Sequence, residues 1–218
     1  MTNYLLRAAA ILKININPLF LPAAIGILFF TPSTSDRPAG FIFLFPLIFL
    51  FIIYPLIYGR YVEIINDNRQ ISYGQIFSTH WFNFFVVSLI LGIPILFSTI
   101  LGLGFGPGII GINQILSIII DVLGIYIFPL VFLLRKRFTC IPLGIKCLLG
   151  NFNFSVPLVA LTIIPSVLNS FIRYPAENAE FSLPFFLINY IFWLLSLIFD
   201  FLIFIAATLI LKEKLLQP

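Results

Sequence analysis

Two acidic residues lie inside long apolar runs of the chain, where a charged side chain is costly. Asp121 lies close to the middle of the run 108–134, and Asp200 close to the middle of the run 185–211. Neither run contains a Lys or Arg that could pair with its acid. A charge at the centre of a bilayer costs at least about 2.5–3.5 kcal/mol, so the protonated carboxyl is the cheaper form. Uptake and release of a proton or a small cation is the chemistry such residues could perform.

Polar residues accompany each acid at helical spacing and place it on a polar stripe. The two stripes are Asn113, Ser117, Asp121 and Gly124, and Asn189, Trp193, Ser196 and Asp200. Stripes of this kind face the interior of a helix bundle and not the lipid. Two interpretations stay open. The stripes form a seam that handles protons or cations, or the two acids are neutral and hydrogen-bond between helices.

The composition places the helices that carry these acids in a membrane. The chain has 218 residues, of which 61% are hydrophobic and 9% charged, and its mean hydropathy is +1.14. A soluble domain has about 25% charged residues. The sequence therefore predicts an all-α, polytopic membrane protein. Its six predicted spans are roughly 17–30, 41–58, 84–104, 108–134, 154–172 and 185–211.

The basic residues predict the orientation of these spans. Ten of the twelve Lys and Arg residues fall at the two termini and in the second and fourth loops. This distribution predicts that both termini lie in the cytoplasm. Anionic lipid head groups are the expected partners of these cations, and no nucleic acid is needed to explain them. Cys140 and Cys147 fall on the same side, where they are expected to be buried, reduced thiols.

A weak internal repeat suggests how the six spans are organised. When the segment from Ile71 to Pro94 is shifted by 70 residues, 8 of its 24 positions are identical, whereas chance would give roughly three. A third copy is indicated near Asn17, which aligns with Asn153. We therefore predict one transmembrane domain over 1–218, with three repeat units at about 1–58, 60–134 and 135–211.

Each repeat unit is expected to begin with an amphipathic helix that lies in the cytoplasmic interface. The junction with the following span is predicted at Asn17, Asn83 and Asn153, because asparagine can satisfy the free backbone groups of a bend. Ser72 and Gln75 form a capping-box pattern at the start of the second such helix. His80 in that helix is expected to lie in the head-group interface.

With this pattern in view, the chain resembles a group of YciC-like, uncharacterised bacterial inner-membrane proteins. It is also similar to the membrane domain found ahead of some glycerophosphoryl diester phosphodiesterases. The similarity covers about residues 60–165 and rests on Gly106-Pro107-Gly108-Ile109-Ile110, on "FPLVFLL" (128–134), on the basic loop and on Asn153. The resemblance implies a polytopic inner-membrane protein with interfacial helices, without catalytic residues. The phosphodiesterase activity of the fused relatives is therefore not expected of this chain.

The sequence contains no zinc motif, no phosphate-binding glycine loop and no nucleophile–base pair. No metal site, no cofactor and no enzymatic activity are therefore expected. The first expected function is that of a non-enzymatic accessory or scaffold protein that binds lipid, a membrane protein or a second copy of itself. The alternative is a small transporter or permease component that uses the Asp121 and Asp200 seam.

Overall fold

The protein is mainly α-helical in the part of the chain that is described. The computed structural model describes residues 1–30, 48–68, 70–105, 109–171 and 183–215, and no strand occurs among them. The first half of the predicted second span, together with Arg69 and 106–108, lies outside these residues. The α-helices are α1 Thr2–Ile14, α2 Phe20–Phe30, α3 Tyr54–Ile65, α4 Tyr73–Phe105, α5 Ile109–Leu134, α6 Cys140–Gly150, α7 Phe152–Phe171 and α8 Leu183–Ile210.

Several of these helices are long and apolar enough to cross a membrane. Three qualify alone, over Tyr73–Ser98, Ile115–Leu134 and Phe186–Lys214. The number rises to five if each of two bent helix pairs, α1 with α2 and α6 with α7, counts as one span. The helical class predicted from composition is confirmed, and the structure is compatible with a membrane protein.

The last helix is the centre of the bundle. From Phe201 onwards almost every side chain of α8 is buried, and Phe201, Ile205 and Ile210 are fully buried. Helices α1, α5 and α7 pack against α8, and α2 and α3 also contact it. Because α8 has neighbours on all sides here, its sequence is apolar around the whole helix, as expected for a buried helix.

Two asparagines stabilise the two sharp bends of the chain. The axes of α1 and the segment Asn17–Ile27 differ by 73°, and those of α6 and α7 by 107°. At the first bend Asn15 donates from Nδ2 to the carbonyl of Ile11 at 3.0 Å. At the second, Asn151 donates to the carbonyl of Cys147 at 3.2 Å. At each bend the backbone N–H of the same asparagine also donates to that carbonyl, so the side chain adds a second hydrogen bond at the end of the helix.

The bends correct the predicted roles of the asparagines. Asn17 and Asn153 do lie at the bends, but both are exposed, and the residue two positions earlier makes the capping bond. The predicted bend at Asn83 is wrong, because α4 continues without a break from Tyr73 to Phe105. Trp81 occupies the position of the capping asparagine there, and its indole cannot replace an amide.

The beginning of α4 agrees with the prediction from the sequence in its capping box and differs from it in the side that is buried. Ser72 and Gln75 exchange the two hydrogen bonds of a capping box, so the predicted start is confirmed. However, the buried face of α4 contains Ile76, His80 and Phe84, whereas Tyr73 is exposed. His80 is 1% exposed, so it packs inside the bundle and does not face the head groups as predicted.

Basic residues link helices and loops at one end of the bundle, which we call the cationic end. Its members are Arg7, Arg60, Arg135, Arg137 and Lys212. Arg7 makes two hydrogen bonds to the carboxylate of Glu213, at 2.7 and 2.6 Å. Lys212 donates to the carbonyl of Ile65 at 2.7 Å, and Arg60 to that of Ile71 at 3.0 Å. The first helix, the 66–72 loop, the 135–139 loop and the end of the last helix therefore lie at one end of the bundle.

The hydrogen bond at the second bend gives a stability prediction. Asn151→Ala removes the side-chain bond to Cys147 and is expected to lower the free energy of unfolding by about 1 kcal/mol, or the melting temperature by about 2–4 °C. Thermal unfolding in detergent, followed by circular dichroism, measures the change. The matched control is Asn153→Ala, which removes an exposed asparagine two residues away. Equal losses in both variants would contradict a specific role for Asn151.

Candidate functional site

A cavity of about 360 Å³ lies between five helices of the bundle. Residues of α3, α4, α5, α7 and α8 line it. The contribution of α5 extends from Ser117 to Pro129 along one helical face, because its members follow steps of three, four or one. The cavity therefore runs along roughly three turns of α5, at the depth where the sequence places the acids.

Asp121 and Asp200 both line this cavity. Asp121 comes from α5 and is exposed, whereas Asp200 comes from the central helix α8 and is half-buried. The exposure of Asp121 shows that the cavity opens to the outside of the protein. Equal depth in two neighbouring helices thus brings two carboxyl groups to one space. At a site of low dielectric constant two such groups cannot both ionise cheaply, so the pair is suited to hold a shared proton.

Four hydroxyl-bearing residues complete the polar lining: Tyr54, Tyr58, Ser117 and Thr162. Sequence reasoning identified only Ser117. The two tyrosines stand four residues apart in α3, one turn from each other, and their rings stack at 5.3 Å. This i, i+4 pair in the otherwise apolar segment 48–58 is the signal in the sequence that could have identified them.

An aromatic layer closes the cavity on the side of the cationic end. Its members are Tyr58, Phe84, Phe132 and Phe204. Tyr58 stacks on Phe204 with ring centres 3.9 Å apart, and Phe132 lies 5.6–6.0 Å from the other three rings. Gly124 makes room for a further ring, since a Cβ atom there would lie 2.8 Å from Phe128.

The structure brings only some residues of the two predicted polar stripes to the cavity. Ser117, Asp121 and Gly124 of the first stripe line the cavity, as does Asp200 of the second. The side chain of Asn113 lies outside the described residues. Asn189 and Ser196 are buried, each 3% exposed, but they do not line the cavity. They belong to the half of α8 that faces α2, where Tyr190 donates to the carbonyl of Ala23.

Oxygen atoms supply all the polar chemistry of the cavity. Carboxyl, phenol and hydroxyl groups bind protons and hard cations. Among the described residues no cluster of three or more His, Cys, Asp or Glu side chains could hold a metal ion. The arrangement can therefore bind and release a proton, or hold a small monovalent cation between the two carboxyl groups.

No protein-family model, curated protein or solved structure matches this chain.

The shared cavity predicts a chemical reactivity. An apolar carbodiimide enters the lipid and reacts with protonated carboxyl groups, so it should modify Asp121 or Asp200 at neutral pH. Glu213 is the internal control, because Arg7 holds it as a carboxylate at the cationic end. Peptide mass spectrometry measures both, and the double variant Asp121→Asn/Asp200→Asn should lose the label. Modification of Glu213 with none at either aspartate would contradict a protonated pair.

Proposed function

We propose that this protein is a small transporter or permease component that takes up and releases a proton or a small cation at Asp121 and Asp200. One observation carries the proposal: two carboxyl groups from different helices line the same cavity in an otherwise apolar bundle. Ionisable residues at membrane depth are costly and commonly serve ion pathways. Transport is favoured over catalysis because carboxyl, phenol and hydroxyl groups at one open cavity suit the binding and passage of ions.

We also propose the finer membrane arrangement, with six spans, an inner-membrane location and both termini in the cytoplasm. The proposal is supported by the ten basic residues on one predicted side, and by contacts that gather the ends of α1, α3, α5 and α8 at the cationic end. The resemblance to YciC-like proteins supports the same membrane. In this arrangement the aromatic layer lies between the cavity and the cytoplasm.

The threefold repeat receives less support. Two bends share an Asn-x-Asn pattern, but the middle unit lacks both the pattern and the bend. The glycine pair of the repeat also differs: a Cβ atom at Gly144 would lie 2.9 Å from backbone atoms of Ile127, whereas Gly74 has open space around it. We therefore propose that the repeat relates the first and third units.

Transport at the acid pair can be tested in proteoliposomes that contain a pH-sensitive dye. A potassium diffusion potential should drive proton movement through the wild type. Asp121→Asn and Asp200→Asn should each slow the initial rate by about tenfold or more, which corresponds to about 1.4 kcal/mol or more on the barrier. The matched control Asp67→Asn neutralises an exposed carboxylate outside the cavity and should not change the rate. Full flux through the double aspartate variant would refute proton handling at this site.

Orientation can be tested by labelling single cysteines from outside intact cells, in a variant whose two native cysteines are replaced by alanine. Asp36→Cys and Glu177→Cys should react with a maleimide that cannot cross membranes. Asn66→Cys and Lys136→Cys should react only after the membrane is permeabilised. The reverse pattern would place the cationic end outside and overturn the proposed orientation.

A second candidate function is that of a non-enzymatic accessory or scaffold protein. The observation that favours it is the exposed surface of the cationic end, where Arg137 lies 4.2 Å above the ring of Phe82 and Lys214 lies 3.9 Å above that of Phe154. Such cation–aromatic pairs suit contact with anionic lipid head groups, an acidic membrane partner or a second copy of this chain. Absence of proton flux through the wild type would favour this role.

A further inference from the structure

A second ionisable cluster lies at the cationic end, separate from the cavity. Glu63 near the end of α3 is 4% exposed, and His80 of α4 is 1% exposed. The imidazole Nε2 lies 3.6 Å from Oε1 of Glu63. Arg135, just after α5, places its guanidinium 3.5 Å from the same oxygen. Within the described residues these are the charged and titratable groups that face His80 from the helices packed against it.

The imidazole of His80 is buried without a hydrogen-bond partner. Neither Nδ1 nor Nε2 has one in the described part of the chain. Phe132 lies against the ring at 5.0 Å, and a Cβ atom at Gly59 would lie 3.3 Å from its Cδ2. Buried polar atoms are nearly always hydrogen-bonded. The distance to Glu63 is only slightly longer than a hydrogen bond, so a small movement would let a protonated Nε2 donate to the carboxylate.

Glu63 has two competing partners and one fixed partner. Asn68 donates from Nδ2 to the other carboxylate oxygen, Oε2, at 3.1 Å and holds the group in place. Oε1 faces both Arg135 and His80. The side chain of Arg135 is 58% exposed, so it can turn towards solvent at little cost, whereas the imidazole cannot leave. An uncharged His80 leaves Arg135 as the partner of Oε1, and a charged His80 replaces it.

We propose that Glu63 and His80 form a second proton-binding site, at which a proton bound by His80 displaces Arg135 from the Glu63 carboxylate. The site goes beyond the proposed transport function and does not depend on it. When the exposed side chain of Arg135 turns towards solvent, water at the cationic end can reach the Glu63 carboxylate. The aromatic layer separates it from the acid cavity, with Phe132 in contact with the imidazole and Phe84 lining the cavity.

Displacement of Arg135 would be transmitted to the loop that follows α5. Arg135 has a φ of 53°, in the left-handed region that a residue with a side chain adopts only at a cost. Asn83 stabilises this conformation: it donates to the carbonyl of Arg135 at 3.1 Å and accepts from Nε of Arg137 at 2.7 Å. Protonation thus acts on the end of α5, the helix that carries Asp121.

His80 is the only histidine of the chain, so a single labelled residue reports on the site. The full-length protein, labelled with ¹⁵N-histidine in phosphatidylcholine nanodiscs, gives one pair of imidazole nitrogen signals. In the wild type, titration from about pH 8 to about pH 4 should convert them from neutral imidazole to imidazolium, with a midpoint below that of a free histidine, because burial lowers the pKa of His80. Glu63→Gln should move the midpoint down by about 1 pH unit or more, because the imidazolium loses its counter-charge.

Arg135→Gln should move the midpoint in the opposite direction, since it removes a competing cation. Arg135 is exposed, so this variant is expected to fold. It tests the proposal even if Glu63→Gln does not fold. The matched control is Glu213→Gln, which breaks another ion pair at the same end and should leave the midpoint unchanged. An imidazole that stays neutral throughout the range, or a midpoint that Arg135→Gln does not raise, would overturn the proposal. Neither result depends on whether the protein transports an ion.

Discussion

Burial of the last three turns of α8 is the constraint on which the rest of the bundle depends. Helices pack around Phe201, Ile205 and Ile210, so the position of α8 along the bundle is fixed by close packing. Asp200 stands one residue before this buried segment and cannot move away from its neighbours. The carboxyl of Asp121 and the phenols of α3 meet it from the surrounding helices. The position of the polar cavity is therefore set by Asp200, which stands on the helix that its neighbours hold most tightly.

The sequence was sufficient to predict features that depend on depth or on a single local rule. Both acids were expected at the same level because each stands near the middle of an apolar run, and one cavity contains them. The capping box at Ser72 and Gln75 needs only four residues and was predicted correctly. The helical class follows from the apolar composition, because backbone N–H and C=O groups in lipid must form their hydrogen bonds within the protein.

Features that depend on the choice of a helix face could not be predicted. In the segment 73–85 aromatic or apolar residues occur on every side of the helix, so hydropathy does not indicate which side is buried. The structure buries the face of Ile76, His80 and Phe84, because α3 approaches closely at Gly59. For the same reason Tyr54 and Tyr58 were missed as cavity residues. Their role depends on which helices surround them, and local sequence does not contain that information.

The ion pair between Arg7 and Glu213 joins residues that are 206 positions apart, and this has a consequence for biosynthesis. Helix α1 docks mainly on α8, so its tertiary partner does not exist until nearly the whole described chain has been synthesised. Contacts of such long sequence separation form late and slowly. During translation α1 therefore lacks its main packing partner until α8 has been synthesised. Its exposed Leu6 and Ile14 give it an apolar surface that suits contact with lipid head groups during this interval.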